Sequence, residues 1–121
     1  MIWGTGEAKR EFLFVDDMAR ACVELMNYDK DKFSKIISPM CSHLNAGSGS
    51  DLSIYELAKT IAEIVGYKGN IFFDKTKPDG TPRKILNSDR LKSIGWAPTI
   101  TLKEGLKISY EDFLNRYEDS K

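Results

Sequence analysis

The sequence predicts an α/β fold, on three observations. Short apolar runs such as Phe12-Leu13-Phe14-Val15 and Ile71-Phe72-Phe73 alternate with stretches whose apolar residues recur at helical spacing. Two S/T-x-x-E capping boxes, Ser53 with Glu56 and Thr101 with Glu104, open helices. The strand-like runs are too few for a complete doubly wound sheet, and the polar loops are long. Together these features describe a lobe that carries recognition loops.

The elements follow in order. Residues 1–11 hold two glycines and four charges and read as a loop. The run 12–15 predicts a buried strand. Asp16-Asp17 suits an N-cap and the positive end of a helix dipole. Met18, Cys22, Leu25 and Met26 then predict a helix over 17–28. Residues 29–35 read as a charged connection, Pro39 as a stop, and 42–46 as a strand closed by Gly47-Ser48-Gly49-Ser50. The helix opened by Ser53 carries Ile54, Leu57, Ala58, Ile61, Ile64 and Val65 on one face and ends at Gly66; Leu52 and Leu57 can staple its start. After the strand 71–73, the run Lys77-Pro78-Asp79-Gly80-Thr81-Pro82 holds too much Pro and Gly for anything but an ordered loop. A short helix over 88–94 stops at Gly95. The apolar face of the last helix is Leu102, Leu106, Tyr110, Phe113, Leu114 and Tyr117, and Gly105 in its first turn points to close packing, because glycine there costs about 1 kcal/mol against Ala.

Composition excludes several classes. Of 121 residues 41% are apolar, about 48% once nine glycines are added, which is ordinary for a globular chain. Eighteen basic residues balance eighteen acidic ones, so no nucleic-acid partner is expected. The longest stretch free of Asp, Glu, Lys and Arg, residues 36–50, is too short and too Ser-rich to span a membrane. Charges at positions 7, 9, 10 and 11 interrupt any leader. Two cysteines make no disulfide framework, so a reduced, cytoplasmic protein is the expectation.

Chemistry-bearing clusters are few. His43 is the single histidine, and with Cys41 it lacks the further ligands a metal site needs; the pair reads as a buried free Cys and an ordinary His. Asp16-Asp17 is explained by capping. Gly47-Ser48-Gly49 lacks the residues that complete a phosphate loop and reads as a tight turn. No catalytic residue and no metal ligand is assigned. Two segments rise above this. Trp3-Gly4-Thr5-Gly6, followed by Lys9 and Arg10, offers an aromatic face, a flexible backbone and two cations. Trp stacks on a flat ring, and Arg grips phosphate through two parallel hydrogen bonds. In the run 77–84 the prolines pre-set the backbone, Asp79 can accept from a ribose or base donor, and Arg83 and Lys84 can meet phosphate. The joint reading is a site for a nucleotide-like anion; the competing one is two solvated loops.

Residues 3–18 (W-G-T-G-E-A-K-R-E-F-L-F-V-D-D-M), 43–49 (H-L-N-A-G-S-G), 77–84 (K-P-D-G-T-P-R-K) and Gly95-Trp96 together resemble the C-terminal third of the GDP-L-fucose synthases. These are the GDP-4-keto-6-deoxy-D-mannose epimerase/reductases, extended short-chain dehydrogenase/reductases of the NAD-dependent epimerase/dehydratase superfamily. R-E-F-x-x-V-D-D fixes only the superfamily, whereas K-P-D-G-T-P-R-K is narrower. The resemblance implies a Rossmann-like enzyme in which one lobe binds NADP and a smaller C-terminal lobe closes on the GDP-sugar. It implies that this chain is the substrate-binding lobe with the Rossmann lobe largely absent: residues 1–50 would pack on the missing lobe, and 51–121 form the C-terminal lobe. Trp3 and Arg10 match substrate-contacting residues, with Arg10 at the diphosphate; Asp79 lies at the nucleotide end, and Lys84 is a phosphate partner. Lys9 and Arg83 carry no assigned role.

The family's dinucleotide fingerprint, its Tyr-x-x-x-Lys pair and its proton-shuttling Cys and His have no counterpart here. Tyr55 and Lys59 share the Tyr-Lys spacing by chance, and Cys41 and His43 align elsewhere. The expectation is a fragment that is inactive alone and binds no cofactor itself. Alternatives are another nucleotide-sugar epimerase/reductase of the same branch, or a non-catalytic GDP-sugar binding module. Without the Rossmann lobe, Phe12, Phe14, Leu44 and the Met18-to-Met26 stripe would expose apolar surface and a free strand edge, and a homo-oligomer would cover them.

Overall fold

The computed structural model describes residues 1–118 of the chain. In chain order the elements are β1 (Ile2–Trp3), β2 (Lys9–Glu11), α1 (Val15–Met26), α2 (Lys30–Ile36), β3 (Asp51–Ser53), α3 (Ile54–Val65), β4 (Phe73–Asp74), β5 (Arg83–Lys84), α4 (Asp89–Ser93) and α5 (Leu102–Glu118). The strands form two small sheets. β1 runs parallel to β4, and β2 lies between antiparallel β3 and parallel β5. The mixed α/β architecture is the one the sequence predicts.

Several elements differ from their sequence reading, each for a physical reason. Residues 1–11 contain β1 and β2, because strands of two or three residues have no period of their own and their partners lie far along the chain. The run 12–15 is not a strand. Pairing stops at Glu11, and Phe14 is the extended N-cap of α1 with no side-chain cap bond. Those residues are apolar because they enter the core: Leu13 packs on Ala21, Leu91 and Trp96, while Phe14 meets α5. Asp16 and Asp17 sit in the first turn of α1, and the buried one, Asp17, does not cap it. Residues 29–35 are mostly α2, capped by Asp29, which accepts from the Lys32 amide at 2.9 Å. Residues 42–46 pair with no strand; Leu44 and Ala46 pack on the core instead, so the free edge expected near Leu44 is absent. A narrow bridge between Ser38 and Cys41 marks the turn at Pro39.

The locally encoded helices follow expectation. Ser53 Oγ accepts from the Glu56 amide at 3.1 Å, and the Ser53 amide donates to Glu56 Oε2 at 2.8 Å. Gly66 closes α3 in the left-handed region. The Glu104 amide donates to Thr101 Oγ1 at 3.3 Å at the start of α5. Gly105 does pack closely: a Cβ there would stand 2.8 Å from Phe14 Cδ2. Gly105→Ala is therefore expected to lower stability by about 1–3 kcal/mol, although Ala is the better helix former. A higher melting temperature for the variant would contradict that packing.

The core centres on Ala21, Leu91 and Trp96, ringed by Leu13, Leu25, Leu44, Ala46 and Ile94. Asp17 enters this core with its carboxylate turned toward residues 99–100. The helical period puts Val15, Ala19, Cys22, Val23 and Met26 on the side of α1 away from Ala21. That outward side is apolar and exposed, with Val15 at 68% and Met26 at 85%.

Candidate functional site

The turn Trp3-Gly4-Thr5-Gly6 leaves β1 with both glycines at positive φ, +80° and +82°. Gly4 is required twice over, because a Cβ there would lie 2.2 Å from Asp79 Oδ1. The Gly4 amide donates to Asp74 O at 2.9 Å. Thr5 makes the main tie to the long loop: its amide donates to Asp79 Oδ1 at 2.9 Å and its hydroxyl to Asp79 Oδ2 at 2.7 Å. The Glu7 amide donates to the same hydroxyl oxygen at 3.2 Å. Thr5 holds the Asp79 carboxyl below its usual pKa, first through the hydroxyl and then through the amide. The Tyr55 and Ile54 amides, at the start of α3, donate to Gly6 O and Ala8 O and fix the far side of the turn.

Residues 77–84 run as a strap across everything the sequence singled out. Lys77 Nζ lies 5.7 Å from the centre of the Trp3 ring, within cation–π range. Asp79 holds Thr5. Gly80 leaves room for Arg10, since a Cβ there would stand 3.0 Å from Arg10 Nη2. Arg10 Nη1 donates to Thr81 O at 2.7 Å and to Lys9 O at 2.6 Å. Pro82 O accepts from the Lys9 amide at 2.8 Å, and the strap ends as β5.

Register then sets the charge. Arg10 sits opposite Lys84 on parallel strands, so both side chains leave one face of the sheet. Among the described residues no carboxylate lies within ion-pair distance of either. The other face carries Lys9, Glu11, Asp51 and Arg83 and is neutralised internally. Arg83 pairs with Asp51 and holds that carboxyl below its usual pKa. Glu11 takes the Gly49 amide at 2.6 Å and the Leu86 amide at 2.8 Å. Arg10 and Lys84 line a shallow recess with Glu11, Arg83, Ile85 and Leu86. Chemically this is a platform for a multiply charged anion, with an exposed indole at the other end of the strap.

The structure thus brings Arg10 and Lys84 together directly and ties Asp79 to the turn that bears Trp3. Trp3 joins the two cations only through the strap. Sequence reasoning placed Gly4, Thr5 and Gly80 inside the two segments it singled out but gave them no role, because their contacts join residues 70 or more positions apart. Lys59 lies 4.7 Å from the centre of the Tyr55 ring, and that ring packs at a tilt against Phe73 with centroids 5.5 Å apart, so the pair belongs to the packing of α3 on β4. Arg90 Nη1 donates to Cys41 Sγ at 2.8 Å. Among the described residues no group of three or more His, Cys, Asp or Glu gathers to hold a metal, and no helix is long and apolar enough to cross a membrane. A second groove, between Phe14, residues 98–102 and α5, is lined by apolar and hydroxyl side chains with Asp51 as its one charge, and it suits no phosphate.

Comparison with known proteins gives a consistent result. The sequence model of the NAD dependent epimerase/dehydratase family matches residues 1–38. The GDP-L-fucose synthase of Escherichia coli (strain K12) is 48% identical over 98% of this chain and 37% of that protein. The putative GDP-L-fucose synthase 2 of Arabidopsis thaliana is 47% identical over 100% of this chain and 34% of its own length. Among solved structures, a GDP-6-OMe-4-keto-L-xylo-heptose reductase from C. jejuni superposes with a TM-score of 0.83 at 35% identity, over 95% of this chain and 33% of that one. The chain spans about a third of the length of the relatives it matches.

Proposed function

Because the chain belongs to the NAD dependent epimerase/dehydratase family, as a homologue of part of the GDP-L-fucose synthases, we propose that it is the GDP-sugar-binding portion of such an enzyme. In this reading the parent enzyme is an NADP-dependent epimerase/reductase that turns GDP-4-keto-6-deoxy-mannose into GDP-L-fucose. One observation carries the reading: Arg10 and Lys84 stand side by side on one sheet face with no carboxylate partner among the described residues, at the end of the strap that also holds Trp3 and Asp79. Arg10 and Lys84 take the diphosphate, Trp3 covers a flat or apolar part of the ligand, and Asp79 stands at the nucleotide end. The proposed setting is the reduced cytoplasm, in keeping with two free cysteines.

The residues present do not fit NADP. Among the described residues no G-x-G-x-x-G turn links a strand to a helix, and no strand exceeds three residues. In this reading hydride transfer belongs to the rest of the enzyme, and the portion is inactive alone. In this reading residues 1–121 supply one side of the enclosing cleft, and by themselves they should bind GDP-mannose in the millimolar range, on the order of 4 kcal/mol. Calorimetry should show that binding weaken as salt rises, because the exposed cations are screened. The chain mixed with NADPH and the keto-sugar should consume no NADPH above a buffer blank. Salt-independent binding, or turnover, would count against the reading.

In the same reading residues 1–50 contribute the face that meets the rest of the enzyme, and the apolar side of α1 is its centre. Alone, the chain should self-associate into a homo-oligomer through that side. Light scattering should show a mass that rises with concentration and falls for Met26→Lys; a constant monomer mass would contradict it.

A further inference from the structure

We infer that Glu11 is a positioning residue for the GDP-sugar surface: its carboxylate fills the Gly47-to-Gly49 turn and holds the chain just beyond β5, and so fixes Lys84 opposite Arg10. The inference deepens the function proposed above and rests on it. Arg10 and Lys84 are the last residue pair of the β2–β5 ladder. Two residues beyond Lys84, the Leu86 amide is the next in phase to bond β2. It donates to the Glu11 side chain, Oε2 at 2.8 Å, in place of a backbone carbonyl. The other carboxylate oxygen, Oε1, accepts from the Gly49 amide at 2.6 Å. Gly47 is buried, and a Cβ there would stand 2.6 Å from Oε1 and 2.8 Å from Oε2. No positive φ calls for glycine at position 47, so closeness to the carboxylate is what requires it. The Gly-Ser-Gly turn, which lacks the residues of a phosphate loop, thus receives an anion from its own chain.

Charge supports the same role. Glu11 stands directly across from Asp51 on β3, and like charges in that position destabilise a sheet. Asp51 is engaged by Arg83, and Glu11 by two charge-assisted hydrogen bonds from amides 38 and 75 residues away. The acid at position 11 therefore joins three separate segments at one point. Alternation along β2 places its side chain on the sheet face opposite that of Arg10, so it acts through the strands and not by touching a ligand. β5 has only two residues, and without Glu11 its outer end would lose the bond that follows Lys84.

The test measures GDP-mannose affinity by NMR titration of the whole chain for Glu11→Asp, Gly47→Ala and Lys84→Ala, and for Glu11→Asp combined with each of the other two. Glu11→Asp keeps the charge and withdraws the carboxylate by one methylene, whereas Gly47→Ala displaces the carboxylate without altering it. Each of these two should weaken binding about two- to fourfold, and together no more than either, because both release one clamp. In the Lys84→Ala background Glu11→Asp should have no further effect, since the group it misplaces is already gone. A residue that merely supports the fold would add its loss in either background. The salt dependence of binding in Glu11→Asp should fall to that of Lys84→Ala. Without ligand, hydrogen exchange at the Leu86 amide should quicken in Glu11→Asp and in Gly47→Ala, while the amides of α3 keep their protection. Unchanged affinity in Glu11→Asp, or a loss additive with that of Lys84→Ala, overturns the inference and leaves the GDP-sugar reading in place. If the unaltered chain binds no GDP-mannose, that reading fails and the inferred role with it; unchanged Leu86 exchange would then show that the carboxylate does not hold the strand end either.

Discussion

Asp17→Ala should cost about 3–5 kcal/mol of folding stability, a large share of what a domain of this size possesses. Asp17 is 1% exposed, and its carboxylate accepts from the Thr99 amide at 3.0 Å, the Thr99 hydroxyl at 2.8 Å, the Ile100 amide at 2.9 Å and Arg20 Nη2 at 2.7 Å. Truncation would leave two part-buried amides without their acceptor and take one partner from the Arg20 guanidinium, which keeps Glu24 and Ala97 O. It would also free the segment after Trp96, the largest fully buried side chain, over whose ring Arg20 lies at 5.8 Å. Burial pushes the Asp17 pKa up, but the hydrogen bonds from Ile100, Arg20 and Thr99 outweigh it and hold the group well below the usual carboxylate range. A depressed folded pKa means that the stabilisation is complete above the unfolded value of about 4 and is lost as pH falls toward the folded one. Chemical denaturation from pH 7 down to pH 3 should therefore show a stability loss that is shallower in Asp17→Asn. It should not vanish, because Asp51, Glu56 and Asp79 are also held below their ordinary values. Equal acid slopes in the two proteins would contradict this account of Asp17.

Arg10→Ala should remove measurable GDP-mannose binding. Charge-assisted contacts of this kind are worth roughly 1.5–3 kcal/mol, a loss of about ten- to a hundredfold from an affinity already in the millimolar range. Arg10 Nη1 is occupied by Thr81 O and Lys9 O, while among the described residues Nη2 and Nε meet no acceptor. The outward edge of the fork is thus left for a phosphate. Arg10→Lys should keep attraction but lose bidentate geometry and fall between the two. Lys84→Ala should cost less, because an exposed ammonium acts as a single screened charge. Affinity equal to that of the unaltered chain in Arg10→Ala, measured by calorimetry, would remove Arg10 from the site.

What could be read from the sequence was what is encoded locally. The Ser53–Glu56 box, Gly66 and Thr101 lie within a few residues of the helices they delimit, so α3 and α5 were legible. β1 and β2 were not, because two or three residues carry no periodicity and their partners come from β4, β3 and β5. α2 was hidden by its charges. Two aspartates at a helix start read alike whether they cap it or turn into a core, and only the tertiary position of Thr99 and Ile100 distinguishes Asp17. The site divides the same way. Residue type and the rigid strap marked Trp3, Arg10, Asp79 and Lys84, but the adjacency of Arg10 and Lys84 is a matter of strand register. Thr5, the partner that occupies Asp79, lies 74 residues away and had no local signal.

The central claim, that the strap and β2 together form a GDP-sugar surface, is tested most directly by mapping amide chemical shifts as GDP-mannose is added. The account predicts changes confined to residues 3–10 and 77–86, absent when Arg10 is replaced by Ala. Shifts gathered in the groove between Phe14 and α5, or shifts that survive Arg10→Ala, would contradict it.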